Sequence, residues 1–412
     1  MNVTKPTILL LITNLGKGGA QRVFYDHALA LSANYKVIEV VFEKIDERVY
    51  NTGFPIHYLK EHSLYTRLGP IGRLYNRSKN LKKLVENYNA DIVISHMDGA
   101  NWVNSLSFSK AKKIFVVHGT ILYDDQQSRV MQWFRTKVII PLLYEKSDIV
   151  VSVSEGIARE LRSICSVKQI ISIPNFFDIK NIRLKASDAL VSEHKELFEN
   201  YPVLITSGRL AKQKQQHCLF SIYKAVKKQH SPIRLVILGD GELRSSLISQ
   251  AEALDLNVYS IWDANQNQFH NNYDVYFMGY VANPYQYLSK SKLFLFPSAW
   301  EGFPLALCEA MIAGAPVLTS DCPTGPREIL APNSYNNQYK LVSAEYTKNG
   351  VLLPLPNSKV AEDCWIEAIL CLLNDPPKRD LLIKAAREKI QEFEKESVLE
   401  KWNSLISGLI NE

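Results

Sequence analysis

Leu293-Phe294-Leu295-Phe296-Pro297-Ser298-Ala299-Trp300-Glu301-Gly302-Phe303-Pro304-Leu305-Ala306-Leu307-Cys308-Glu309-Ala310-Met311 passes from an apolar run, through a turn bearing proline and glycine, into a row of strong helix formers. The run Leu293 to Phe296 is too short for a helix and is stopped by a proline, so it reads as a buried strand. Leu, Ala and Met beyond Pro304 predict a helix opening there. Strand, turn and helix in that order make one unit of a parallel sheet covered by crossover helices.

The same alternation extends in both directions. Upstream, strands are expected at Thr7 to Thr13, Val37 to Phe42, Ile92 to Ser95, Lys113 to Val117, Ile149 to Val153 and Ile170 to Ile173, with a helix from about Ala20 to Leu31. Asn175-Phe176-Phe177-Asp178 breaks this series, and a polar, helix-like stretch follows over 181–200. A second series opens with Val203 to Thr206 and continues with Arg234 to Leu238, Val275 to Met278, Leu293 to Phe296 and Pro316 to Thr319. With 412 residues, two domains are the default. The expected division is 1–180 and 181–392, two doubly wound α/β units in tandem. Arg379 to Ile410 reads as a closing helix with Phe393, Val398, Trp402, Leu405 and Leu409 as its apolar anchors.

Composition narrows the class. Hydrophobic residues make up 46% and charged residues 22%, as in folded soluble proteins. Apolar runs such as Ile8 to Ile12 and Val138 to Leu143 fall far short of a membrane span of roughly 20 residues. No cleavable leader is read at the start, so a cytoplasmic protein is expected. The six cysteines show no C-x-x-C pair and no histidines at zinc spacing, so no metal or cofactor is expected. The charge of +6 is uneven: residues 1–180 hold 24 Lys and Arg against 16 Asp and Glu. Much of that excess lies in residues 60–83, where Lys60, Arg67, Arg73, Arg77, Lys79, Lys82 and Lys83 alternate with Leu64, Tyr65, Leu68, Ile71, Leu74, Tyr75 and Leu81. Such a segment is either a solvated helix face or a surface for an anionic membrane or a phosphorylated acceptor. No nucleic-acid-binding pattern accompanies it, and no nucleic-acid partner is expected.

Ligands of open parallel sheets bind beyond the carboxyl ends of the strands, which makes the loops there the candidate sites. Gly18 and Gly19 follow the first strand and precede a helix, a place for close approach of an anion; the third glycine of the dinucleotide fingerprint is missing. Gly208-Arg209 and Lys214 follow the first strand of the second series, where two cations can share one diphosphate. Gly239 and the Gly279-Tyr280 pair follow later strands. In the opening stretch, Glu301 lies in the turn and Glu309 in the helix, so both can accept hydrogen bonds from a hydroxyl-rich ligand. Gly302, Phe303, Pro304 and Leu305 complete that turn.

In order, G-G-A-Q-R, V-V-H-G, V-S-E-G, I-P-N, S-G-R-L with its later lysine, L-G-D-G, F-x-G-Y and F-P-S-x-x-E-G-F-P-L-x-L-x-E-A-M-x-x-G-x-P-V resemble glycosyltransferase family four. The motifs run from Gly18 to Val317, and Gly350-Val351-Leu352-Leu353-Pro354 with the last helices extends the likeness to nearly the whole chain.

The resemblance implies the GT-B fold, with two Rossmann-like domains facing across a cleft and a C-terminal helix, about 393–412, packing back on the first. It implies transfer with retention and without metal from a nucleotide-diphosphate sugar to a saccharide or lipid-linked acceptor. By the same resemblance Arg209 and Lys214 hold the diphosphate, Glu309 the ribose, and Glu301 with Gly302 to Leu305 the donor sugar. His118 approaches the transferred sugar, Gly18 and Gly19 approach the phosphate or acceptor, and His96 belongs to the acceptor side. Departures are the long stretch between Ile329 and Gly350 and Cys322-Pro323-Thr324-Gly325-Pro326-Arg327-Glu328, which replaces a common diglycine. The latter is similar to enzymes that build bacterial surface polysaccharides from uridine-linked sugars. The competing readings are an inactive sugar-nucleotide-binding scaffold, a nucleotide-sugar epimerase and a phosphorylase, all on the same fold.

Overall fold

The computed structural model describes residues 5–44, 50–59, 68–123, 128–263, 268–334 and 341–411. Two compact units emerge, Met1–Phe176 with Glu396–Glu412, and Phe177–Lys395.

The first unit is built on seven parallel strands: β1 (Thr7–Ile12), β2 (Lys36–Val41), β3 (Ile56–Tyr58), β4 (Ile92–His96), β5 (Lys112–Val117), β6 (Ile149–Ser152) and β7 (Ile170–Ser172). Their spatial order is β3-β2-β1-β4-β5-β6-β7. All six residues of β1 are buried, as expected of a central strand covered on both faces. Leu9 and Leu11 join Val40, Val93, Ala100 and Val103 in one apolar cluster.

The second unit contains β8 (Val203–Ser207), β9 (Arg234–Leu238), β10 (Val258–Ser260), β11 (Val275–Phe277), β12 (Leu293–Phe296), β13 (Val317–Ser320), β14 (Glu345–Tyr346) and β15 (Val351–Leu353). Their order is β10-β11-β9-β8-β12-β13-β15-β14, parallel except where β14 runs antiparallel to β15. Trp365, Ile369 and Leu372 of the helix Lys359–Asn374 pack with Leu219, Tyr223 and Val226 of the helix Cys218–Gln229 over this sheet.

Each sheet reverses its winding once, between β1 and β4 and between β8 and β12. Helices depart to opposite faces on the two sides of such a point and leave a crevice at the strands' carboxyl ends. The loops that sequence reading singled out after β1, β8 and β12 all open there.

Four strands lie outside the sequence reading. Ile56–Tyr58, Val258–Ser260 and Glu345–Tyr346 are two or three residues long and near the sheet edges, too short to carry a period. Val351–Leu353 has the apolar run and its Gly350 and Pro354 boundaries, but at three residues it is too short to be told from the motif that contains it. The closing helix also needs correction, because Arg379 to Ile410 is not continuous: a helix Pro376–Lys389 tightens into a 3-10 turn, Ile390–Phe393, before the helix Lys395–Asn411. The cause is a β-like bridge in which Phe177 N–H donates to Phe393 O at 2.9 Å and Lys395 N–H to Phe177 O at 3.1 Å. Those groups are then lost to the helical ladder. The basic segment forms the helix Gly69–Tyr88 from residue 69 on; its residues 60–67, with Lys60, Leu64, Tyr65 and Arg67, lie outside the described residues, as do 335–340 of the long stretch after Ile329.

Candidate functional site

In the second unit the loops after β8 and β12 are bound to each other. Lys214 closes a short 3-10 turn, Lys212–Lys214, and places its ammonium 2.5 Å from Glu301 Oε1 and 4.8 Å from the centre of the Phe296 ring. Gln213 ties the backbones, its Nε2 donating to Trp300 O at 2.7 Å and its carbonyl accepting from Ala299 N–H at 2.8 Å. The Glu301 side chain is only 6% exposed, so the pair is nearly removed from water. A charge buried this way needs its partner and good positioning of both. Positioning comes from the loop after β13: Thr324 Oγ1 donates to Glu301 O, and Glu301 N–H reaches Pro323 O at 3.5 Å. Gly325, at φ +87°, lies under Pro304, where a Cβ would fall 2.7 Å from Pro304 Cδ. Gly302, Phe303 and Pro304 are buried with Glu301, and Leu305 starts the helix Leu305–Ala313, which has no side-chain cap among the described residues and no acid in its first turn. Its N-terminus is therefore left positive.

A tier of glycines floors the crevice. Gly208 N–H bonds Leu238 O at 3.0 Å and Gly239 N–H bonds Gly279 O at 2.7 Å, so the chain ends of β8, β9 and β11 touch backbone to backbone. At Gly239, with φ +135°, a Cβ would lie 2.0 Å from Gly208 O, and no side chain fits.

Not every expected partner joins the pair. Arg209 is exposed and turned to Glu242, with Nη2 3.0 Å from its carboxylate. Such a surface ion pair is weak and leaves the guanidinium free to change partners. Glu309, within the helix, accepts from Tyr285 OH at 3.1 Å, and Tyr280 is 57% exposed beside Gly279. Sequence reading missed Gln213 and Tyr285, which belong to no striking pattern, and the part of Thr324, which lies within the stretch noted as a departure.

In the first unit Gly18 and Gly19 are exposed at the start of the helix Gly19–Leu31, next to a turn in which Asn14 Oδ1 accepts from Gly16 N–H at 3.1 Å. His118 follows β5, and its Nε2 lies 2.9 Å from Nδ1 of His96, the last residue of β4. The two rings are nearly parallel, 5.1 Å apart. Behind His96 stand His27, at 5.4 Å between ring centres, and Phe24; Trp402 of the closing helix packs on His27 at 4.8 Å. Burial pushes His27 down to about 3, with the charge of His118 adding to the effect. It lowers His118 to about 4 and holds His96 well below the usual histidine range. All three rings are neutral at pH 7. Glu160 anchors the His118 loop from behind: its carboxylate accepts from Thr120 Oγ1 at 2.7 Å and from Ile121 N–H at 2.6 Å. Glu160 stands in the helix that the V-S-E-G motif opens, the one signal that could have found it. His27 had none, lying in a helix far from any motif.

Two family models match the chain, "Glycosyltransferase Family 4" over residues 17–181 and "Glycosyl transferases group 1" over residues 190–389. A glycosyltransferase of Methanocaldococcus jannaschii is 28% identical over 82% of this chain and 84% of its own length. The N-acetylgalactosamine-N,N'-diacetylbacillosaminyl-diphospho-undecaprenol 4-alpha-N-acetylgalactosaminyltransferase of Campylobacter jejuni is 24% identical over 94% of this chain and 95% of its own. Among solved structures, Anabaena HepE in complex with UDP and glucose superposes with a TM-score of 0.75 at 17% identity, covering 98% of this chain and 100% of that one. With an unbroken order of motifs, two doubly wound sheets and models spanning nearly its whole length, the chain belongs to the family four glycosyltransferases and has their GT-B fold.

Proposed function

We propose that the protein transfers a hexose or N-acetylhexosamine from a nucleotide-diphosphate sugar, UDP-linked, to a saccharide or lipid-linked saccharide acceptor in polysaccharide biosynthesis, with retention and without metal. The observation that carries this reading is the buried Lys214–Glu301 pair at the reversal between β8 and β12. A fixed ammonium and carboxylate side by side suit a ligand with an anionic and a hydroxyl-rich part. Lys214 neutralises the charge that grows on the departing diphosphate, which stabilises the transition state more than the bound donor. Arg209 leaves Glu242 to share that charge. Glu301 accepts from the sugar hydroxyls, Glu309 from the ribose, and the uncapped helix at Leu305 faces the donor with its amides. Gly208, Gly239 and Gly279 let the donor lie against the backbone. His118, neutral, hydrogen-bonds the sugar, and the leaving phosphate takes the acceptor proton. UDP as the nucleotide is supported by the UDP complex of HepE, and the acceptor class by the Campylobacter transferase.

The lipid-linked acceptor goes with attachment to the inner face of the cell membrane. Arg73, Lys79, Lys82 and Lys83 are exposed on the helix Gly69–Tyr88, and Val130, Met131, Trp133, Phe134 and Leu142 are exposed over 129–144, flanked by Arg129 and Lys137. Exposed aromatic and aliphatic side chains amid cations suit an anionic bilayer surface. Arg77 is excluded from this set, since it bonds Glu43 at 2.8 Å and covers the Phe42 ring. Replacing Trp133 and Phe134 with serine is expected to release the protein from phosphatidylglycerol vesicles in cosedimentation; equal binding would end the membrane assignment.

The transfer reading is tested by incubation with uridine-, guanosine- and adenosine-diphosphate sugars, following thermal stabilisation with and without EDTA. One donor class, uridine-linked, is expected to stabilise the protein equally in both conditions. No stabilisation by any donor would favour the inactive-scaffold reading, and stabilisation only with added metal would overturn metal independence.

A further inference from the structure

We infer that His96 is a positioning residue that fixes His118 with its proton on Nδ1, so that His118 presents an N–H donor outward; this rests on the role proposed above for His118. The two imidazoles share one hydrogen bond, 2.9 Å between His96 Nδ1 and His118 Nε2. Two neutral rings allow two arrangements. In one, His96 Nδ1–H donates, which leaves His96 Nε2 a bare lone pair and puts the His118 proton on Nδ1. In the other, His118 Nε2–H donates, which puts a proton on His96 Nε2 and leaves His118 Nδ1 an acceptor.

The surroundings of His96 decide between them. His96 is fully buried, and its Nε2 has no hydrogen-bond partner among the described residues. Neither do both ring nitrogens of His27 or Nε1 of Trp402 in the same aromatic group. A neutral His27 carries one N–H, and Trp402 carries another, so this apolar pocket already holds two donors without acceptors. A third N–H on His96 Nε2 would add one more buried donor without an acceptor to this group, whereas a lone pair there adds none. Orphaned buried N–H groups are also rarer in native proteins than unfilled acceptors. The first arrangement is the favoured one. The backbone then holds the result in place, because His96 ends the central strand β4 and the His118 loop is pinned by Glu160 through Thr120 and Ile121.

The functional consequence is that the outward nitrogen of His118 donates to a ligand oxygen without any proton transfer. His118 is thus a fixed dipole for the sugar, and loss of His96 lets its proton redistribute between the two nitrogens. His96→Asn keeps an N–H at the place of Nδ1, and His96→Phe removes it while keeping the ring.

The test is long-range proton–nitrogen NMR of protein labelled at its nine histidines, with His118 assigned by loss of its signals in His118→Gln. The expected result is the Nδ1–H form in the wild type and in His96→Asn, and a mixed or Nε2–H form in His96→Phe. In single-turnover assays His96→Phe is expected to lose about tenfold or more in kcat with little change in donor KM, and His96→Asn to regain most of it. An Nε2–H form in the wild type, or an unchanged form in His96→Phe, overturns the inference. The tautomer is read without turnover, so a correct tautomer with an active His118→Gln would contradict the role of His118 and leave the positioning by His96 standing.

Discussion

Lys214 and Glu301 satisfy each other, so on the role proposed for Lys214 the donor diphosphate has to share an ammonium already held at 2.5 Å. On that proposed role the sharing strengthens as charge accumulates on the leaving oxygen, which is the condition for catalysis rather than mere binding. A double-mutant cycle with Lys214→Met and Glu301→Gln, followed by urea unfolding, is expected to give a coupling of about 1–3 kcal/mol. Coupling near zero would mean that the two charges are solvated separately. Both residues were legible in the sequence because each lies in a motif of fixed order. Their mutual contact was not, since 87 residues separate them and only the adjacency of β8 and β12 joins them. Arg209 shows the converse, as its motif points to a diphosphate while its side chain rests on Glu242.

At the scale of elements, the crevice depends on chain ends that touch without side chains. Gly239→Ala drives a Cβ into the carbonyl of Gly208 and demands an unfavourable φ, and is expected to cost more than about 3 kcal/mol of stability. Gly408 is the control: it lies in the helix Lys395–Asn411, and a Cβ there meets nothing within 4 Å among the described residues. Gly408→Ala is expected to stabilise the protein by about 0.5–1 kcal/mol in the same unfolding assay. Similar losses for both would refute the backbone contact. The long central strands were readable because burial on both faces writes a continuous apolar run. The edge strands Ile56–Tyr58 and Glu345–Tyr346 carry no such run, and the break after Phe393 depends on Phe177, a residue more than two hundred positions away.

For the molecule as a whole, three neutral histidines in one buried group tie stability to pH. His27, His96 and His118 all have folded values below the unfolded value of about 6.5, so the unfolded chain binds more protons beneath that pH. Their contribution is complete above about pH 6.5 and is lost as pH falls below it, through about 4 for His118 and about 3 for His27. Each excluded proton corresponds to about 1.4 kcal/mol per pH unit. Urea midpoints are expected to fall steeply between pH 6.5 and 4.5, and the fall to lessen in His27→Phe; a flat profile across that window would show the rings to be solvated. The most direct test of the account is UDP release from UDP-sugar in a single turnover by the wild type and by Lys214→Ala, with EDTA present and donor binding checked by thermal stabilisation. The wild type is expected to release UDP, and the variant to bind donor still but to release UDP on the order of a hundredfold more slowly. Equal release by the two proteins would contradict it.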